Sequence, residues 1–515
     1  LHLEKFGKPH SQKNMFGGPP TLSFVFVCFF WGANMKQRAA KLSRSKSRQS
    51  KAQRNIDARK LDNKLEQSLS LELVDSTNAD LIHSTVKKVL WNVGAIFEHP
   101  PTRTNLIQNH GCREGDGGYI QIPPDLIDEV LSTVPTHITL YDLDGNIRVD
   151  TSSKISSFCP GHNCVRILDF RTNELRPCQL EDIRETARLC EQLPNIDMVC
   201  SLGYPSEIPA ENEVTETVRA MYENCTKPAA LLAHDEFIQK RMMNIIADMA
   251  GGWNRITEKP VSIELMGPVS PLTLPAELCV RLINCARWRA PVVCYPATFP
   301  GMSSPISAAG AIVQSSAEAL AGILIHQLEE PGAPVLSGSA ILPMDLRQAN
   351  LAYGSPEYML AGLGASDYFR HIGIPSWVGA GCSDSHQFDA QAAAEAGANL
   401  MISALAKTPF VHNLGFLSGG RTGSLEMLTL CDEMIGWISK MANGVRVNAD
   451  TLALEVIQRA APNNDYLTDP HTQARFLTEN WYPNLSERSD AEAWRDAGGL
   501  DMQARVKQKL RDILD

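Results

Sequence analysis

The sequence predicts an α/β chain built on a (β/α)8 TIM barrel with an N-terminal helical and mixed extension. Three observations predict it. From about residue 155 onward eight short apolar runs recur, each opening onto polar or glycine-rich residues. Helix-period stretches separate these runs, which implies parallel pairing through right-handed crossovers. Eight such units over roughly 290 residues suit a closed barrel. An open doubly wound sheet would want a phosphate-binding GxGxxG after its first strand, and the chain has none there.

Taken in order, residues 1–60 read as a basic extension. Thirteen of the 48 Lys and Arg lie there against two of the 58 Asp and Glu, so the remainder carries a net charge near −21. SRSKSRQSKAQR lacks interleaved aromatics and reads as a solvated, disordered arm. The apolar stretch TLSFVFVCFFWGAN (21–34) is too short to span a bilayer, and its basic run follows rather than precedes it. The expectation is an over-extended reading frame that truly starts at Met35, with a secretion signal as the alternative. No later segment is expected to reach membrane-spanning length.

Residues 61–150 read as a mixed α+β region. LIHSTVKKVLWNVGAIF carries apolar residues at helical spacing. GGYIQIPPDLIDEVLSTVP gives a strand, a turn and a helix led by Pro123 and Pro124, and HITLYDLDGN a strand running into a D-G turn.

The barrel is assigned to 151–450, with strands in SSFCP, IDMVCSLGY, KPAALLAH, PVSIELMG, APVVCYPAT, APVLSGSAI, PSWVGAGC and PFVHNLGF. Intervening helices include EDIRETARLCEQL, EFIQKRMMNIIADMA, PAELCVRLINCARW, GAIVQSSAEALAGILIHQL and DAQAAAEAGANLMISAL. Residues 451–515 form a C-terminal helical region.

Reactive residues of such barrels gather at the C-terminal ends of the strands. GCSDSH follows strand seven, placing Cys382, Asp384 and His386 there. Tyr204 follows strand two and His234 strand three; Glu264 and Met266 lie in strand four. Tyr295 and Phe299 follow strand five, Asp345 follows strand six, and His412 lies within strand eight.

Composition narrows the partners. An acidic body repels phosphate backbones, so nucleic acid is not expected, and neither is a membrane. The thirteen cysteines form no CxxC pair, and Cys159/Cys164 and Cys279/Cys285 match no common zinc spacing, so no metal site is assigned. Scattered reduced thiols suit a cytoplasmic protein.

Several stretches together resemble the trimethylamine methyltransferase family. They include VLWNVGAIFEHP, ILDFRTNELRPCQLEDI, GPVSPLTLPAE, MDLRQANLAYGSPEYML, GIPSWVGAGCSDSHQFDAQAAAEA and SGGRTGSLEMLTLCDE, in family order from about residue 75 to the C-terminus. The resemblance implies the same barrel and a corrinoid-dependent methyltransferase of methylamine and one-carbon metabolism, methanogenesis included. Its expected reaction moves a methyl group from a small methylated amine, quaternary by preference, such as glycine betaine or trimethylamine, to the Co(I) of a corrinoid protein. The chain itself would bind no cofactor, because it shows no corrinoid-binding DxHxxG loop; cobalamin would come with the partner. A homo-oligomer is implied as well.

Members that demethylate trimethylamine carry pyrrolysine at what corresponds to Cys382, and this chain lacks it. A quaternary ammonium leaves as a neutral amine and needs no activation, which favours that substrate here. Many relatives have Lys where His386 stands, and a glycine-rich stretch where this chain has APNNDYLTD.

A permanent cation asks for aromatic faces, for which Tyr204, Tyr295, Phe299, Tyr353 and Trp377 are candidates. Barrel packing is the alternative for each. Asp384, His386 and Glu264 are the candidate catalytic residues. Asp384 equally suits a cap for the helix beginning near Asp389, and Glu264 a buried salt bridge. Cys382 and His412 are candidate pocket residues. No His–acid pair adjoins Cys382 to make it a nucleophile. Two rival functions remain in view: a quaternary-amine-binding protein without turnover, and a metal-dependent barrel hydrolase using His234, Asp384, His386 and His412.

Overall fold

The computed structural model describes residues 70–515 apart from Lys154 and Asn464. The basic arm, the apolar stretch 21–34 and the expected start at Met35 lie outside the described residues.

All eight predicted strand runs take barrel positions. Seven form one parallel sheet: Ser157–Pro160, Ala229–Leu231, Ser262–Met266, Val292–Cys294, Val335–Gly338, Ser376–Gly379 and Phe410–Leu414. Their order is first, eighth, seventh, sixth, fifth, fourth, third. The second position is shorter, a parallel bridge from Val199 to Ala229. The Val199 N–H donates to Pro228 O (2.9 Å) and its carbonyl accepts from Ala230 N–H (3.0 Å). On the other side Asp197 and Met198 N–H groups donate to Phe158 O (2.8 and 3.3 Å), which closes the ring.

A helix follows each barrel position: Leu180–Gln192, Ala210–Tyr222, Glu236–Ala250, Ala276–Trp288, Ala308–Glu329, Pro356–His371, Ala390–Leu405 and Leu425–Ala442. The helix Ala308–Glu329 corrects one expectation. At 22 residues it is long and apolar enough to cross a membrane, yet most of it is buried inside the fold. Both faces of this helix meet apolar neighbours, so it needs no polar side.

Period-two alternation sorts the barrel strands. Cys159, Met198, Cys200, Ala230, Ile263, Leu265, Val293, Leu336, Trp377 and Phe410 form one buried cluster, the barrel interior. Ile138, Leu140 and Val149 join that cluster from the hairpin Thr139–Tyr141 and Ile147–Asp150. The hairpin closes the N-terminal end: Tyr141 N–H donates to Pro260 O and Leu143 N–H to Thr226 O, both just ahead of barrel strands.

Ahead of the barrel, the helix Ser76–Asn92 is capped by Asp75, whose carboxylate accepts from Asn78 N–H at 2.8 Å. It packs with the helix Pro124–Leu131 against Ala308–Glu329, a second apolar core. Ile96–Phe97 pairs in parallel with Thr273–Leu274. After the barrel, the helix Met502–Leu514 lies on Leu425–Ala442, with Lys507 Nζ 3.7 Å from Glu426 Oε1. The described residues 456–476 belong to a separate compact unit, in which Asp469 accepts from Arg459 Nε at 2.8 Å.

Candidate active site at the C-terminal mouth of the barrel

Register decides which side chains enter the mouth. Trp377 lies opposite Phe410 and Gly379 opposite His412. Both Trp377 and Phe410 face inward, so two residues further on the lumen meets Gly379 and His412. Tyr295, two residues past Val293, packs against the same interior cluster.

The His412 ring stands among three others. Its centroid is 5.3 Å from Tyr295, 5.2 Å from Trp377 and 6.2 Å from His162. Phe410 stacks beneath Trp377 at 4.9 Å. His412 Nδ1 lies 3.1 Å from Val378 O. A carbonyl only accepts, so Nδ1 carries the proton and Nε2 of the neutral ring is a bare acceptor. Burial lowers the His412 pKa to about 3, so the ring stays uncharged.

Two glycines make room for the wall above. A Cβ on Gly379 would stand 2.0 Å from the Tyr358 hydroxyl, and one on Gly338 would stand 2.9 Å from the Tyr295 ring. Tyr358, in the first turn of Pro356–His371, thus reaches over strand seven, where its hydroxyl accepts from Asn413 Nδ2 at 3.2 Å. Tyr353 lies 5.0 Å from Tyr358 between ring centroids. Cys382 lies near Tyr295, Tyr353 and Tyr358. Burial raises the pKa of all three phenols, leaving neutral aromatic faces.

The loop after strand seven holds this wall in place. Asp384 Oδ1 accepts from Tyr353 N–H (2.8 Å) and Oδ2 from Gly354 N–H (2.9 Å). Glu395 Oε2 in turn accepts from Ser383 Oγ (2.6 Å) and Asp384 N–H (2.9 Å). Desolvation raises the Asp384 pKa, and the Glu395 charge adds to the effect. Asp389, not Asp384, caps the following helix, accepting from Ala392 N–H at 2.9 Å. Cys382 is fully buried; Asn399 Nδ2 donates to its carbonyl at 3.0 Å. Desolvation, with Asp384 nearby, pushes its thiol well above the usual range, so it stays protonated.

Other predicted residues lie apart from this group. Glu264 alternates with inward Ile263 and Leu265 and so faces the helix layer. There it accepts from Gln239 Nε2 (2.7 Å) and pairs with Arg281 Nη1 (3.3 Å), while burial raises its pKa. Its neighbour Met266 joins the outer core. Tyr204 and His234 form their own pair with centroids 6.3 Å apart, and His234 Nε2 meets Glu213 Oε2 at 3.2 Å in the open. His386 is exposed at the rim, its Nδ1 2.9 Å from Ser418 Oγ. Phe299 is partly buried and packs against the same core as Tyr295 and Tyr353. Asp345 pairs with Arg347 and lines a cleft of about 530 Å³ with Pro300, Ile306, Pro343 and Ser355. Among the described residues no three His, Cys, Asp or Glu side chains converge to hold a metal ion. His234, Asp384, His386 and His412 therefore do not assemble the centre that a metal-dependent hydrolase needs.

Sequence reasoning missed His162, Tyr358 and Glu395. His162 had a usable signal, since GHN directly follows strand one at the barrel's C-terminal end. Tyr358 had none, because it arrives from a helix.

The family described as trimethylamine methyltransferase (MTTB) matches residues 37–515. A trimethylamine methyltransferase MttB of Desulfitobacterium hafniense is 28% identical over 435 residues, covering 84% of this chain and 87% of that protein. A glycine betaine methyltransferase from another strain of the species is also 28% identical, covering 84% and 90%. The solved monomethylamine methyltransferase MtmB of Methanosarcina barkeri overlays at a TM-score of 0.47 with 12% identity, covering 90% and 92%. With the family matched over residues 37–515, from within the basic extension through the whole barrel to the C-terminus, the chain belongs to the trimethylamine methyltransferase family and is a methyltransferase.

Proposed function

We propose that this enzyme takes a methyl group from a small quaternary amine and passes it to a corrinoid carried by a partner protein. The observation that carries the reading is the ring of neutral aromatic faces from Tyr295, Tyr353, Tyr358 and Trp377 around Cys382 and His412. Each face contributes about 0.5–2 kcal/mol toward a permanent cation, more where water is excluded. Names among the relatives, trimethylamine and glycine betaine, support a methylated amine as the substrate class.

The chain's own groups argue for an external acceptor. Cys382 lies among these rings, and a protonated buried thiol is a poor nucleophile. Both Asp384 carboxylate oxygens are committed to backbone N–H groups, so its part is to hold Tyr353 in the wall. Reduced cobalt, when brought by the partner, would supply the nucleophile. The residues then serve to bind the ammonium, exclude water and aim one methyl outward, and such positioning supplies much of the rate. Cys382 stands where trimethylamine-demethylating members carry pyrrolysine, which favours a leaving group that already departs neutral.

Twelve free, buried cysteines among the described residues suit a reducing compartment, and we assign the enzyme to the cytoplasm on that ground. The deciding experiment mixes the protein with Co(I) cobalamin and a panel of methylated amines, following methylcobalamin and the demethylated product. Turnover is expected with quaternary amines and not with trimethylamine. Binding without product, or turnover of trimethylamine alone, would overturn the reading.

A further inference from the structure

We propose that His162, Trp377 and His412 form a hydrogen-bonding subsite inside the aromatic ring that takes an uncharged, hydroxyl-bearing arm of the substrate. The inference rests on the quaternary-amine reading and narrows it to cationic amino alcohols over carboxylate-bearing betaines.

Three buried nitrogens there have no partner in good hydrogen-bond geometry: Nε1 of Trp377 and both ring nitrogens of His162, which its own backbone and Asn163 approach. His412 adds a fourth free position, because its Nδ1–H is committed to Val378 O and its Nε2 keeps a lone pair. The rings adjoin, with His412 centred 5.2 Å from Trp377 and 6.2 Å from His162. Buried polar groups are nearly always paired, and leaving one unpaired is costly. Several among adjoining rings point to a partner supplied in the functional state.

The donor and acceptor inventory selects the arm. Trp377 Nε1–H only donates, and His412 Nε2 only accepts. Burial lowers the His162 pKa to about 4, so its neutral ring offers one donor and one acceptor. The set holds two donors, two acceptors and no positive charge. A carboxylate can only accept and would enter without a cationic partner, at high desolvation cost. A hydroxyl accepts from Trp377 or His162 while donating to His412. The acids bracing the wall, Asp384 and Glu395, oppose an anionic arm further.

The test is calorimetric titration of the full chain with tetramethylammonium, choline and glycine betaine. Choline is expected to bind at least fivefold tighter than either of the others. His162→Phe and Trp377→Phe should each bring the choline-to-tetramethylammonium ratio close to one, and His162→Asn, which keeps a donor and an acceptor, should restore part of it. Tighter binding of betaine than choline would overturn the subsite's chemistry. A ratio that survives both Phe variants would mean that water satisfies these nitrogens and would overturn the subsite itself. If none of the three ligands binds, the quaternary-amine reading fails along with it.

Discussion

Two buried polar clusters flank the barrel wall and differ in one respect. Around Glu264, between strand four and its helices, the charge is answered: Gln239 and Arg281 meet the carboxylate, and Arg281 also donates to Ala233 O at 2.6 Å. Around His412 the reverse holds, with Trp377 Nε1 and the His162 nitrogens left without partners in good hydrogen-bond geometry. Glu264 was expected to be catalytic, and Trp377 and His412 to line the pocket. In the closed one both carboxylate oxygens are met and only Arg281 Nε is left over, so it reads as architecture; the open one has several hydrogen bonds to give. Satisfaction of the polar atoms, more than burial or charge, separates a structural cluster from a binding one.

That contrast breaks most easily at Glu264. Glu264→Ala strands the largely buried Arg281 guanidinium, and thermal denaturation should show a loss of about 3–5 kcal/mol. The activity of the molecules that remain folded should persist; a stable variant with abolished turnover would reverse the assignment.

Acid separates the clusters next. Burial holds His412 at about 3 and His162 at about 4, below the unfolded value near 6.5. Between these limits the unfolded chain binds protons that the native state refuses, so each ring's contribution is complete above pH 6.5 and shrinks as pH falls. Each costs about 1.4 kcal/mol per pH unit. Denaturant titrations at pH 7, 6 and 5 should show His412→Gln flattening the dependence by that amount relative to the wild type.

At the open cluster, Tyr295→Ala should weaken the binding of a quaternary amine by about 5–30-fold, whereas Tyr295→Phe, which keeps the face, should stay within about twofold. Equal losses would make the hydroxyl and not the ring decisive. The smallest effect belongs to Cys382→Ala, expected to keep turnover within about fivefold because a protonated thiol does no bond-making. A collapse of rate there would identify the thiol as a reacting group.

Much of this was readable in the residue order. The alternation of apolar runs and helical stretches located every barrel position, and GCSDSH marked the loop that braces the wall. The parity of strand four was not readable. SIELM is buried on both faces, so its pattern does not say whether Glu264 points inward or outward. Nor could chain order place Tyr358 over Gly379, or Asp384 against the N–H groups of Tyr353 and Gly354, about thirty residues away.

The sequence by itself determined the repeating unit, the charge of the body and the family, because periodicity and motif order are local properties of the chain. Only the tertiary structure decided which polar groups are answered and which stand open. A hydrogen bond needs two partners at about 3 Å, and closing the barrel is what brings together residues far apart in the chain.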